Sequence, residues 1–170
     1  MKNYDSCLVL SHFKGFVQGG NGGALKQLSI GIVSAGKVLQ HTGGQSTYTK
    51  DFSSKGCGAK EFKETMADAA SAVVKFFKGN MTFINMMVNI SLNCDCDGNA
   101  RPPCMADIGI VSSTDPVALD RACLDLIYNS NDEGKTQLIE RIEKLYGPHI
   151  INCSVELGTG IKEYELIHVK

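Results

Sequence analysis

The chain has 170 residues, of which 43% are hydrophobic and 21% charged, a composition typical of one globular domain with a buried core. Seventeen basic and eighteen acidic side chains give a formal net charge of -1, which argues against a broad nucleic-acid-binding surface. No apolar run approaches the ~20 residues that span a bilayer, and the N-terminal segment lacks a secretory signal pattern. We therefore expect a cytoplasmic domain over residues 1–170, with no nucleic-acid or membrane partner.

The first half of the chain alternates predicted strands and helices. A short apolar strand at residues 7–11 passes through a glycine-dense stretch into a helix from Ala24 to about residue 33. A loop follows at residues 36–56. An amphipathic helix then contains Phe62 and Phe77 and closes at Gly79. The next predicted strand, residues 82–90, is apolar at nearly every position, which is typical of a strand buried on both faces.

The second half continues this pattern. A predicted strand at residues 107–111 precedes a helix that Asp115 can cap, with Pro116 at its first position. A further helix covers residues 135–146, and the tail KEYELIHV alternates as an edge strand would. The whole pattern predicts an α/β fold with a mainly parallel sheet flanked by helices in three layers.

Reactive side chains concentrate in the loops that follow the first three predicted strands. In a parallel sheet these loops leave the same edge, where open α/β folds bind their ligands. We therefore expect the loops to meet in one site. They contain His12 and Lys14, the glycines that lead to Lys26, residues 93–97, and residues 112–115.

His12 and Lys14 are two residues apart, so an extended backbone directs both side chains to the same face. Such a pair can act in proton transfer as catalytic residues, or hold a carboxylate or phosphate. The alternative is a histidine bonded to a loop carbonyl beside a solvated lysine.

The stretch GGNGGALK contains Gly22, Gly23 and Lys26. Its backbone amides can approach an anion with Lys26 beside them, and Asp115 belongs to the same predicted anion-binding site. The stretch lacks the spacing of the Walker and dinucleotide-binding motifs. A tight strand-to-helix turn alone also explains such glycines.

Seven cysteines, an odd number, argue against a disulfide framework. Cys94, Cys96 and Cys104 form a C-x-C-x7-C pattern, and Cys57 is a further candidate ligand. These thiolates predict a site for zinc or an iron–sulfur cluster, although the usual C-x2-C spacing is absent. The alternative is a set of small, partly buried thiols that brace a long loop.

Five blocks between Ser11 and Ile167 form a pattern of their own. They read SHFKGF, GGNGGALK, FINMMVNISLNCDCDG, ADIGIVSSTDPVALDRACLDL and LGTGIKEYELI. In this order they resemble the iron–sulfur-associated proteins catalogued as domain of unknown function 362. The resemblance implies an α/β fold and places the family's motifs on the His12–Lys14 segment, the Gly22–Lys26 segment, Cys94–Cys96 and the helix start at Asp115.

Two departures from that family bear on cofactors. The family's two-cluster ferredoxin insert falls between His41 and Phe62, where this chain has a short loop with Cys57 as its one cysteine. The ferredoxin-type clusters are therefore not expected here. The family also has a long region before the first strand, so the chain resembles the C-terminal part of the family domain, as a short relative or a fragment.

Three functional hypotheses stay open at this point, and so does the question of whether the chain is an enzyme. The first is a metal- or iron–sulfur-associated domain linked to electron transfer and a redox partner, centred on Cys94 and Cys96. The second is an enzyme domain for a small anionic substrate, with His12 as acid or base and Lys14 or Lys26 as the anion partner. The third is a non-catalytic domain that assembles with partners, further copies of itself included.

Overall fold

The computed structural model describes residues 3–32, 57–96 and 102–169. Its strands are β1 (Cys7–His12), β2 (Lys14–Phe16), β3 (Gly20–Gly22), β4 (Met81–Met87) and β5 (Gly109–Ser113). Its helices are α1 (Ala24–Lys26), which continues into a π-helical turn (Gln27–Gly31), then α2 (Ala59–Phe77), α3 (Pro116–Tyr128), α4 (Lys135–Lys144) and α5 (His149–Glu156). The predicted α/β character is confirmed, whereas the predicted loop at residues 36–56, with His41, lies outside the described residues.

The main sheet has the order β1–β4–β5 and mixes the two kinds of pairing. β1 and β4 are parallel, with Leu10 opposite Ile84, and β4 and β5 are antiparallel, with Ile84 opposite Ser112. A mainly parallel sheet is therefore not confirmed. Parallel neighbours need a crossover connection, which α1 and α2 supply between β1 and β4. The described residues between β4 and β5 contain no helix, and β5 returns in the opposite direction.

The direction of β5 separates the third of the predicted site loops, residues 112–115, from the other two. β1 and β4 end at the same edge of the sheet, but residues 112–115 leave at the other edge. Thr114 accordingly lines a surface cavity with Cys7 and Met81, at the starts of β1 and β4. The expectation that all three loops meet is wrong for the third loop, and Asp115 lies away from the other predicted site residues.

Burial alternates along the strands of this sheet. Val9 and Phe83 are buried under the helices, whereas Leu8, Leu10 and Ile110 on the other face are 64%, 57% and 66% exposed. Within the described ranges the helices thus cover one face, and the predicted three layers are not confirmed. The predicted strand at residues 82–90 was expected to be buried on both faces. An apolar run does not by itself distinguish that case from a sheet with one open face.

A short antiparallel hairpin of β2 and β3, with Lys14 opposite Gly22, continues the chain after β1. The sequence pattern did not predict it. The Gly15 amide donates to the carbonyl of Ser91 at 2.8 Å, and a β-carbon on Gly15 would collide with the backbone of Leu92. Burial lowers the pKa of Lys63 on α2 to about 8, and its ammonium donates to the Gly19 carbonyl at 2.6 Å. The hairpin is thereby fixed between α2 and the loop after β4.

The C-terminal tail is not a strand, so the prediction of an edge strand there is wrong. It lies beside β5 and α3. The Ile161 amide donates to the carboxylate of Asp115 at 2.9 Å, and the Tyr164 hydroxyl donates to Asp125 at 2.9 Å. Hydrogen bonds to the side chains of Asp115 and Asp125 therefore hold the tail, in place of the backbone hydrogen bonds between strands that an edge strand would make. Helix α5 was also not predicted.

Among the described residues no helix has the length and apolar character needed to cross a bilayer.

Asp120 of α3 joins three elements at the centre of the molecule. Its carboxylate is 2% exposed and accepts hydrogen bonds from the backbone amides of Ala24 at 2.8 Å and Leu25 at 3.0 Å. It also accepts from the side-chain amide of Asn85 on β4 at 2.7 Å. Burial raises the pKa of Asp120 to about 6, against the opposing effect of these three donors. The start of α1 is thus attached to both the sheet and α3.

Replacing Asp120 by Ala should lower the free energy of unfolding by about 3–5 kcal/mol, because three buried donors lose their acceptor. Urea unfolding measures this loss. The matched control is Asp125→Ala, which removes a partly exposed i,i+4 ion pair with Arg121 and the exposed hydrogen bond from the Tyr164 hydroxyl, and should cost about 1–2 kcal/mol. Equal losses in the two variants would contradict the role given to Asp120.

Candidate functional site

A cavity of about 160 Å³ lies where the end of β1, the hairpin and the loop after β4 meet. A cavity of similar size, about 150 Å³, accommodates benzene, so this one admits a ligand of roughly six non-hydrogen atoms. Six residues singled out in the sequence line it: His12, Lys14, Gly22, Gly23, Lys26 and Cys94. The structure therefore brings together most of the predicted catalytic and anion-binding residues with one predicted metal ligand.

His12 and Lys14 lie on the same side of the backbone, as their spacing predicts, with Lys14 Nζ 3.1 Å from His12 Nδ1. Both contact Asp95, which the sequence analysis noted in the cysteine motif but did not include among the site residues. Lys14 forms an ion pair with the Asp95 carboxylate, and His12 Nδ1 is 2.9 Å from the same oxygen. Although burial acts to raise it, the pKa of Asp95 is lowered by hydrogen bonds from Lys14 and His12 and by their charges.

The partners of His12 determine which ring nitrogen can exchange a proton. Nε2 lies 2.6 Å from the carbonyl oxygen of Val88, which only accepts, so Nε2 carries a proton and donates it. Nδ1 is then the exchangeable position. In the neutral ring Nδ1 accepts from Lys14, and in the protonated ring it donates to Asp95. Nε2 of His12 is thus fixed as a donor, and Nδ1 is the ring nitrogen with a choice of partner.

Cys94 is the thiol whose ionised form the site stabilises. The Lys26 ammonium donates to Cys94 Sγ at 3.5 Å, and the backbone amide of Cys96 donates at 3.4 Å. Burial opposes ionisation, but hydrogen bonds from Cys96 and the charges of Lys26 and Lys14 lower the pKa of Cys94. Burial, the hydrogen bond to Cys94 and its charge raise the pKa of Cys96. The nucleophile of the pair is therefore Cys94.

The positive charge of the cavity comes from lysine side chains rather than from the start of α1. Gly22 and Gly23 line the cavity, but the first two amides of α1 donate to Asp120. A β-carbon on Gly23 would collide with Asp120 Oδ1, so this glycine is required by packing. The Lys26 ammonium sits 5.1 Å from the centre of the Phe16 ring and adjoins Cys94.

Ser11 also lines the cavity and was not singled out in the sequence. It is 4% exposed, and its hydroxyl has no hydrogen-bond partner among the described residues. A buried polar atom without a partner costs free energy unless a ligand or water satisfies it. The sequence contains one signal that could have identified Ser11: it precedes His12 at the end of a predicted strand.

Four predicted site residues do not line the cavity. Cys96 is exposed beside Cys94, and the other three lie elsewhere. Asp115 accepts from the amide of Val117 at 2.8 Å and thereby caps α3. The Cys104 thiol donates to the Ile90 carbonyl at 3.3 Å and lines a separate surface cavity with Gly134. Cys57 is half-buried against the core before α2. None of the three lines the 160 Å³ cavity.

The predicted cysteine ligands do not assemble into a metal centre within the described part of the chain. There, three ligand atoms within 4.8 Å of one another occur only in the group Glu64, His149 and Cys153. A four-thiolate iron–sulfur cluster therefore does not fit the described side chains of this chain alone. The Glu64 group was not predicted, because its one sequence signal, a histidine four residues before a cysteine, falls on the unpredicted helix α5.

Comparison with known proteins identifies a family but no activity. Residues 1–125 match the family described as domain of unknown function (DUF362). All six predicted residues that line the cavity lie within this range. Neither the curated proteins nor the solved structures yield a match.

The Cys94 thiol should ionise at a lower pH than an ordinary thiol, because two lysines stabilise its thiolate. The difference in ultraviolet thiolate absorbance between this chain and Cys94→Ser, followed across a pH titration, isolates the group. In Lys26→Met the midpoint should move to higher pH. In Lys60→Met, which removes an exposed lysine beside Tyr146, it should stay in place. An unchanged midpoint in Lys26→Met would contradict the assignment.

Proposed function

We propose that this chain, which belongs to the DUF362 family, binds a small anionic molecule in the 160 Å³ cavity and acts on it with Cys94 and His12. One observation carries the proposal. Two ammonium groups, those of Lys14 and Lys26, face the cavity, and no carboxylate among the described residues lines it. The cavity lining therefore offers an anion two ammonium donors and no carboxylate to repel it, while Asp95 and the Cys94 sulfur each occupy one side of these ammonium groups.

The same charges argue against a simple cation site. Lys26 donates to the Cys94 thiolate, and a metal ion on that sulfur would have to displace it. An anion, by contrast, gains charge-assisted hydrogen bonds from both lysines, which are stronger than bonds between neutral groups. The free hydroxyl of Ser11 offers a further donor. These contacts suit a carboxylate or phosphate group.

The size of the cavity restricts the ligand to inorganic phosphate or a carboxylate of a few carbons. Cys94 supplies a nucleophile on one side of it, and His12 Nδ1 supplies a proton acceptor on another. These groups support acid–base or covalent chemistry on a bound molecule. We therefore propose that the chain is an enzyme, because that role gives a function to both reactive groups of the site, Cys94 and His12.

Isothermal titration calorimetry with inorganic phosphate, acetate, oxalate and succinate tests the anion site. At least one should bind, and Lys26→Met should weaken that binding by about 10–100-fold, since a hydrogen bond to a charged group contributes ~1.5–3 kcal/mol. Lys60→Met is the matched control and should bind as the unaltered chain does. Equal affinity in Lys26→Met, or no binding of any anion, would overturn the proposal.

A metal-associated role, with electron transfer, is the second candidate. It is favoured by the hydrogen bond between the Cys94 and Cys96 thiols, which could supply two thiolate ligands at one point. No other described side chain joins this pair in a group of three ligand atoms, so further ligands would have to come from beyond the described residues.

Elemental analysis and an absorption spectrum of protein purified without air test this second candidate. If it is correct, iron with acid-labile sulfide is present and is lost in the double variant Cys94→Ser/Cys96→Ser. Cys104→Ser is the matched control and should retain the metal. Metal content that is unchanged in the double variant, or iron that is absent from the parent chain, would count against the cysteine pair.

A further inference from the structure

Helices α2 and α5 pack against each other and place three metal-ligating side chains together on the surface. Glu64 projects from α2, and His149 and Cys153 project from α5. We propose that these three side chains form a site for a divalent transition-metal ion of the zinc class. All three ligand atoms lie within 4.8 Å of one another. None of these residues lines the cavity of the proposed anion site, so the two proposals are independent.

The spacing along α5 places two ligands on one face of the helix. His149 and Cys153 are four residues apart, and residues at this separation lie one above the other on a helix. Cys153 Sγ is 3.6 Å from His149 Nε2. The same nitrogen is 3.1 Å from Glu64 Oε1 across the helix interface. His149 is thus central to the group and contacts both other ligands.

These separations match the edges of a zinc coordination tetrahedron. Zinc bonds of about 2.0–2.1 Å to nitrogen and oxygen and about 2.3 Å to sulfur, at tetrahedral angles, place ligand atoms roughly 3.3–3.6 Å apart. The observed 3.1 Å and 3.6 Å therefore need only small side-chain adjustments, and the third pair, Glu64 and Cys153, lies within 4.8 Å. An ion at this site would replace the hydrogen bonds within the group by three coordinate bonds.

The chemistry of the donors selects the ion. Imidazole nitrogen and thiolate sulfur favour zinc and its neighbours over calcium and magnesium, which prefer oxygen. The surroundings are acidic, because the charges of Glu64, Glu156 and Asp68 all act on Cys153. A bound cation would offset this negative charge and draw the proton from the thiol.

The exposure of the group fits an ion exchanged with solvent. Glu64 and His149 side chains are 53% and 26% exposed, while Cys153 is buried beneath them. Three protein ligands leave the fourth position for water. The ion would also link α2 to α5. His149 and Cys153 lie beyond residues 1–125, so two of the three ligands are outside the segment that matches the family.

Titration of the full chain with Co²⁺, followed by back-titration with Zn²⁺, tests the proposal. One Co²⁺ per chain should bind and produce a thiolate-to-cobalt charge-transfer band, together with the intense visible bands of a tetrahedral ion. Zn²⁺ should abolish both. Cys153→Ser should lose the charge-transfer band, and Glu64→Gln and His149→Ala should each weaken binding by at least about tenfold. Circular dichroism checks that each variant retains its helices.

The double variant Cys94→Ser/Cys96→Ser is the matched control and should keep the cobalt spectrum of the parent chain. Loss of the spectrum in that variant, with its retention in Cys153→Ser, would place the metal at the cysteine pair and overturn the proposal. A parent chain that binds no Co²⁺ in a one-to-one ratio would overturn it as well. The absence of Co²⁺ binding leaves anion binding by Lys14 and Lys26 unaffected, and the calorimetric titration with anions tests that binding separately.

Discussion

The buried carboxylate of Asp120 is the contact on which the arrangement of the cavity depends. It holds the first turn of α1 through the amides of Ala24 and Leu25, and it holds β4 through Asn85. Full burial of a carboxylate is costly, and the fold offsets that cost with three directed hydrogen bonds. Because Lys26 lies at the end of that same turn, Asp120 also determines where the lysine meets the cavity.

The second constraint is the distribution of charge around the cavity. Asp95 pairs with Lys14 and contacts His12, so it orders both side chains without itself lining the cavity. Lys26 has the Cys94 sulfur as its partner. The result is a small space lined by two ammonium groups, a thiol whose pKa is lowered, and an imidazole whose Nδ1 can either accept or donate. This combination explains why we favour an anionic substrate over a metal ion at Cys94.

The sequence predicted the cavity better than it predicted the sheet. Alternation in an extended segment placed His12 beside Lys14, and the ends of two parallel strands brought Cys94 to the same edge. The direction of β5 could not be predicted, since a five-residue apolar run is compatible with either direction, and this error misplaced Asp115. Cys57 and Cys104 lie away from the cavity because of packing between segments that are remote in the sequence. The spacing of residues within one segment does not predict such packing.

Chemical-shift mapping by ¹H–¹⁵N nuclear magnetic resonance, with inorganic phosphate or the best-binding small carboxylate as probe, tests the central claim most directly. If an anion binds in the cavity, saturable shifts should be confined to residues 11–16, 22–27 and 94–96, the three segments that surround it. Shifts that cluster elsewhere, such as at the start of α5, or amides at these three segments that do not respond at a saturating probe concentration, would contradict it.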